Sequence, residues 1–262
     1  MNLDLTNKTA LVCGASQGLG AAVAKELAAL GANIIALARN EDKLEAAIAL
    51  LPSTGSQQHC YLAADTNLPA NVQEKVAAYL AKGNIIHILV NNTGGPPSMP
   101  LLDTPASALE AAFRSHLITS HTLVQLLVNG MKQAGYGRIV NIVSTSVKQP
   151  INGLGISNTV RAAVANWAKT LANELGGFGI TVNNILPGST RTDRLDYLFG
   201  KQAENGNTTV DEIVQRNIAQ IPAGRLGEPA EFGAAVAFLC SPAASYINGI
   251  NLPVDGGKLG GL

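Results

Sequence analysis

Short apolar runs alternate with longer stretches rich in alanine and leucine along almost the whole chain. The short runs, bounded by turn residues, predict strands at Thr9–Cys13, Asn33–Ala38, 58–63, 86–91, 138–143, 180–186 and 250–254. Between them, apolar residues recur at helical spacing and predict helices at 19–30, 42–50, 72–81, 107–133, 157–175 and 230–239. Strands separated by helices imply βαβ crossovers and a mostly parallel sheet. The runs "ILVNN" and "IVNIV" are apolar on both faces, as strands covered by helices on both sides should be. Segment 188–209 follows neither period and is rich in Gly, Thr, Asp and Asn. It predicts a long irregular loop beyond a strand end, the usual place of a lid. The helical stretches 111–128 and 161–175 look apolar on more than one stripe, so a second face should need a partner beyond the sheet.

Composition narrows this picture. The 262 residues show no repeat, linker or low-complexity tract, which fits one α/β domain over 1–262. Charged residues make up only 14%, against roughly 25% in typical soluble domains. Much surface should therefore be buried, as it would be between subunits. Net charge is zero and aromatics are 4%, which argues against a nucleic-acid partner. No apolar run reaches the length of a membrane span, and the N-terminus lacks the features of a signal peptide. Cys13, Cys60 and Cys240 are odd in number and far apart, which fits a reducing cytoplasm rather than a disulfide framework. Neither they nor the four histidines have metal-ligand spacing, so no metal site is expected.

The first motif is "CGASQGLG", Cys13 to Gly20. Gly14, Gly18 and Gly20 form G-x-x-x-G-x-G between a predicted strand and a predicted helix. Glycines let the backbone approach a pyrophosphate, and the helix N-terminus stabilises its charge. A tight turn without ligand would also use them; the flanking elements and the N-terminal position favour a dinucleotide. Ser16, Gln17 and Leu19 fall in the same turn and are candidate cofactor contacts.

This spacing resembles that of the short-chain dehydrogenase/reductase family, and further segments carry the resemblance to the end of the chain. They are "LAADT" with Asp65, "NNTGG" with Asn91 and Gly94, "GRIVNIVS" ending at Ser144, "NNILPGSTRT" with Pro187, Gly188, Thr190 and Thr192, "GRLGEPAEF" and "PVDGG". Thr93 stands where the family motif has alanine. Within the family the chain looks most like the 3-oxoacyl-(acyl-carrier-protein) reductase type. The resemblance implies a doubly wound Rossmann domain of about seven strands and a homodimer or homotetramer formed through the helices named above. It also implies a small carbonyl or acyl substrate. Asp65 should lie near the adenine, and the Pro187–Gly188 segment beside the nicotinamide. The second strand ends in Ala38, where the family's NAD-selective members carry an acid, and Arg39 follows. A guanidinium there suits a 2′-phosphate. Arg39 could instead solvate a helix start or pair with Glu41 or Asp42. NADP(H) is expected as the preferred cofactor, with NAD(H) possible.

The catalytic pattern departs from the family. Its serine is matched by Ser144, but Ser157 stands at the tyrosine position and Arg161 at the lysine position. His116 stands at the asparagine position, and no tyrosine occurs in 148–171. Reducing a carbonyl with a hydride leaves an alkoxide that needs a proton, and a phenol of lowered pKa normally supplies it. A serine hydroxyl is a poor acid, and arginine does not readily release its proton. Arg161 could still hold the nicotinamide ribose, since positions four apart share a helix face. His116 is the natural substitute acid by its ordinary pKa, or it takes a purely structural hydrogen bond. Lys148, Tyr197 and Ser146 are further substitutes, each with a plainer reading as loop, pocket-lining or turn residue. Two functions stay open: an oxidoreductase with an unusual proton source, or a cofactor-binding pseudo-reductase acting as a sensor or assembly partner.

Overall fold

β-Branched and aliphatic residues on both faces of each central strand leave the sheet no exposed side, and helices cover it front and back. In the computed structural model, which describes residues 1–261, seven strands form one sheet. They are β1 (Thr9–Cys13), β2 (Asn33–Ala38), β3 (Cys60–Ala63), β4 (Ile88–Asn91), β5 (Gly137–Ile142), β6 (Ile180–Pro187) and β7 (Asn251–Val254). Their order is β3-β2-β1-β4-β5-β6-β7 and every pairing is parallel. The order reverses between β1 and β4, which opens a crevice at the carboxyl ends of those strands. Pro253 sits in the edge strand β7, where a missing N–H costs no ladder bond.

Nine α-helices among the described residues connect the strands: α1 (Gly18–Ala29), α2 (Glu41–Ala49), α3 (Pro69–Leu80), α4 (Ala106–Phe113), α5 (Thr119–Gln133), α6 (Gly155–Leu175), α7 (Asp193–Gly206), α8 (Val210–Ile218) and α9 (Pro229–Cys240). On one face, Val23 and Leu27 of α1, Leu44 of α2 and Phe232 and Val236 of α9 pack on Ala10, Val12 and Ile34. On the other, Val72 of α3, Leu123 and Leu127 of α5 and Ala168 of α6 pack on Leu11, Ile35 and Leu89. Alternate residues of β1 thus belong to opposite cores, as the period of two requires.

Four asparagines cross the sheet side by side. The register pairs Asn91 with Asn141, Asn141 with Asn184 and Asn184 with Asn251. Each Nδ2 donates to the next Oδ1, at 2.8, 2.9 and 2.8 Å, always from β4 towards β7. The amides lie one to three residues before the strand ends that carry Asn92 and Ser144.

Three expectations are corrected. The single helix at 107–133 is α4, a π-helical turn (Arg114–Ile118) and α5. Within it Thr119 Oγ1 donates to Thr66 O at 2.8 Å and to Arg114 O at 3.2 Å. Segment 188–209 is mostly helix. Thr192 caps α7, its side chain accepting from the Leu195 N–H, and Thr209 and Glu212 form a capping box on α8. Leu195, Phe199, Ile213 and Ile218 of these two helices close over Ile221 and Leu226 as a small core of their own. Finally, the outward stripe of α6 is Ala162, Asn166, Lys169, Thr170 and Asn173, and that of α5 is His121, Gln125 and Asn129. The second face is therefore largely polar, with Ile118 the exposed apolar exception just before α5.

Candidate active site

The β1–α1 turn needs backbone that only glycine adopts freely. Gly14 and Gly18 have φ of +63° and +59°. A Cβ on Gly20 would lie 2.2 Å from Gly14 O, so this glycine lets helix and strand approach. Gly20 is buried beneath the turn, while Gly14, Ser16, Gln17, Gly18 and Leu19 line a cavity of about 430 Å³ above it. Arg39 and Lys43 line its far side, and Asn92, Gly94 and Thr192 its near side. Lys43 Nζ donates to Gln17 Oε1 at 3.0 Å, tying α2 to the glycine turn. A glycine floor, the N-terminus of α1 and two cations fit a dinucleotide with an extra phosphate.

Three expected cofactor contacts do not line this cavity. Asp65 Oδ1 accepts from Asn67 N and Nδ2, both at 2.9 Å, and only its neighbours Ala64 and Thr66 face the cavity. Asn91 is turned across the sheet towards Asn141, and Asn92 takes its place. Thr190 is buried, bridges to Gly227, and lines a separate cavity of about 110 Å³ with Arg225 and Glu231. Pro187 and Gly188 line the larger neighbouring cavity instead. Gly188 meets Asp255 so closely that a Cβ would lie 2.6 Å from it.

That larger cavity, about 690 Å³, joins the first at Gly95 and Arg194. Ser144, Ser157 and Arg161 share its wall, so β5 and α6 bring together three of the four expected catalytic residues. Ser144 Oγ accepts from Ser146 N at 3.1 Å, which leaves the hydroxyl proton free to be donated. Arg161 is buried; its Nη1 donates to Ile142 O at 2.6 Å and its Nε has no partner. Burial first, and the charge of Arg194 second, push its pKa down to about 10, so it stays cationic at neutral pH.

His116, the fourth, faces away from the larger cavity. The π turn aims it at a small cavity of about 10 Å³, the space of one water, shared with Thr93, Asn91 and Arg161. Its Nδ1 hydrogen-bonds Thr93 Oγ1, and its carbonyl accepts from Ser120 Oγ at 2.7 Å. Thr93, the departure in the "NNTGG" motif, is thus the partner of the departure at His116. Burial first and the Arg161 charge second push the imidazole down to about 2, against a backbone hydrogen bond with Gly94. The ring is neutral near pH 7. Lys148 is exposed and outside the cavity wall. Tyr197 is half exposed, its ring 5.4 Å from the Arg194 guanidinium. Ser146 lies in a short turn with its Oγ buried and unpaired. No tyrosine lines the larger cavity among the described residues.

Sequence reasoning missed Lys43, Asn92, Arg194 and Lys258, all of which line one of the two cavities. Arg194 lines both, and its Nη2 donates to Pro96 O at 2.7 Å. Its only signal was its place two residues beyond Thr192, in a segment read as irregular.

A family model described as enoyl-(acyl carrier protein) reductase matches residues 14–258. The 3-oxoacyl-(acyl-carrier-protein) reductase of Vibrio cholerae is 33% identical over 257 residues, covering 97% of this chain and 98% of that one. The crystal structure of L-sorbose reductase from Gluconobacter frateurii, complexed with NADPH and L-sorbose, is similar along the whole of both chains. Its TM-score is 0.93 at 29% identity. An NADPH-dependent reductase involved in bacilysin biosynthesis superposes with a TM-score of 0.90 at 28% identity, over 98% of this chain and 100% of that one. No helix among the described residues is long and apolar enough to cross a membrane.

Proposed function

The chain belongs to the short-chain dehydrogenase/reductase family of NAD(P)-dependent oxidoreductases, and on that premise we propose that it works a carbonyl/alcohol pair with NADP(H) preferred and without the family's phenol. The observation that carries this reading is the shared wall of Ser144, Ser157 and Arg161 in the larger cavity, which joins the glycine-turn cavity at Gly95 and Arg194. The bound nicotinamide supplies or accepts the hydride. The Ser144 hydroxyl, already an acceptor from Ser146 N, donates to the substrate oxygen, and Ser157 offers a second hydroxyl. Arg161 holds the nicotinamide ribose, and its fixed cation stabilises negative charge developing on that oxygen. Charge is stabilised rather than relayed, and the proton comes from water in the cavity. His116 positions Thr93 and the β4 loop; its ring lies outside the larger cavity, which supports a structural role rather than that of the acid.

Arg39 and Lys43 support the choice of NADP(H), since two cations lining the glycine-turn cavity would hold a 2′-phosphate. Arg39→Ala should weaken NADPH and leave NADH nearly unchanged; equal weakening of both in a fluorescence titration contradicts the assignment.

Turnover decides the chemistry. Simple ketones should be reduced about 10²–10⁴-fold more slowly than with a phenol acid. Ser157→Tyr with Arg161→Lys should raise that rate, and Arg161→Ala should damage NADPH binding more than Ser157→Ala. Rapid wild-type reduction that Ser157→Ala abolishes at unchanged NADPH affinity would make Ser157 itself essential and overturn this account. The absence of a tyrosine from the cavity wall favours a second reading, a pseudo-reductase that binds cofactor as a sensor or assembly partner. Tight NADPH binding with no turnover across a carbonyl panel would select it.

A further inference from the structure

The larger cavity carries an excess of positive charge. Among the described residues, Arg161, Arg194, Arg216 and Lys258 line it against one carboxylate, Asp255. That carboxylate accepts from Gly257 N and Leu259 N at 2.9 Å each, and its charge offsets part of the burial of Lys258. Arg216 is exposed and 4.0 Å from Glu212, so solvent and a partner screen it. The other three take part in none of the ion pairs among the described residues. Arg161 is buried with Nε unpaired, and it feels the repulsion of Arg194. Arg194 makes one hydrogen bond, to Pro96 O. Lys258 Nζ makes one, to Asn217 Oδ1 at 3.1 Å, and an ammonium has three protons to give.

Cations withdrawn from water without a counter-charge are costly, and a site that keeps them is built for an anion. Cofactor phosphates have other partners: the glycine turn with the α1 N-terminus, and Arg39 with Lys43. The ribose hydroxyls that Arg161 would hold are neutral. Among the described residues Arg161 and Arg194 have no carboxylate beside them, so their counter-charge must arrive with the other ligand. We propose that the larger cavity takes a substrate bearing a carboxylate, which Arg194 and Lys258 bind while its carbonyl or hydroxyl oxygen lies against Ser144 and Ser157. The forked guanidinium matches a carboxylate in two parallel hydrogen bonds, and the lysine adds a point charge. Which reaction follows rests on the oxidoreductase reading above; the binding of the anion does not.

Calorimetry on the full chain saturated with NADP⁺ tests this, using short-chain oxo acids, each beside its own methyl ester. At least one acid should bind about tenfold or more tightly than its ester, with an affinity that falls as KCl rises. Arg194→Gln should weaken that acid by about tenfold or more and NADP⁺ by much less. Lys258→Gln should act in the same direction. If no acid in the panel outbinds its ester, the proposal is overturned. If Arg194→Gln weakens NADP⁺ and spares the acid, the guanidinium serves the cofactor and the proposal is again overturned. Should the variants fail to fold, the wild-type acid-to-ester ratio decides alone. Acids that bind but are not reduced when NADPH replaces NADP⁺ keep the proposal and remove the oxidoreductase reading. Esters turned over with the same kcat/KM as the acids do the reverse.

Discussion

His116 shows what a burial site does to an ionisable side chain. Its imidazole is pushed from 6.5 down to about 2, chiefly by burial. The unfolded chain takes up a proton there below pH 6.5 and the folded chain does not, so stability is present above that pH and is lost as pH falls. The loss approaches about 1.4 kcal/mol per pH unit per group. His87, half-buried and lowered by burial and by Lys8, adds in the same direction. Glu231, held down to about 2 mainly by its hydrogen bond with Arg225, contributes only below 4.5. Between pH 6.5 and 4.5 the slope therefore belongs largely to histidine. Urea unfolding at about pH 7.5 and about pH 5.5 should show it, and His116→Gln should remove much of it. An unfolding free energy equal at both values would contradict the burial argument. The same dependence on surroundings limits what a sequence reveals of a site. Gly14, Gly18 and Ser144 were legible because they answer to backbone geometry and strand ends. Asp65, Asn91 and Thr190 were not, because Asn67, Asn141 and the Gly227 bridge, each from another part of the fold or turn, decide where they go.

At the level of elements, the seven strands and their order of appearance follow from apolar runs that no other structure would bury so fully. The π turn before α5 left no such trace. Buried positions 112, 116, 120, 123 and 127 keep ordinary helical spacing across it, so the extra residue is invisible in the periodicity. Helices α7 and α8 were hidden differently. Leu195, Leu198, Phe199 and Ala203 have helical spacing, but Gly200 and Gly206 and the surrounding polar residues masked it. Their caps now carry a prediction. Thr209→Ala removes the hydroxyl that receives the Glu212 N–H at 3.2 Å and should cost α8 about 1 kcal/mol. Amide exchange in α8 should quicken about fivefold while the β1 and β4 amides stay unchanged. Uniform acceleration through the sheet would mean that α8 does not open independently.

For the whole molecule, we propose a homodimer or homotetramer from the low charge content and the family, although the outward faces of α5 and α6 are more polar than the sequence pattern implied. The interface we expect is one of side-chain hydrogen bonds around Asn166, Asn173 and Gln125, with Ile118 as its apolar centre. A monodisperse monomer at micromolar concentration in sedimentation would contradict it. Within one subunit, the row of asparagines binds four strands by three bonds, all pointing one way. Such a row ties the strands that carry the cavity wall, and its parts are not equal. Asn141→Leu or Asn184→Leu breaks two bonds and leaves an amide unpaired on each side, all of them buried except the half-buried Asn251, whereas Asn91→Leu or Asn251→Leu breaks one. The inner pair should therefore cost about 1–3 kcal/mol more than the outer pair. Aligned amides also polarise one another. Asn91→Leu and Asn251→Leu share no contact, yet together they should cost less than their separate sum, because the first break already depolarises the bond that the second removes.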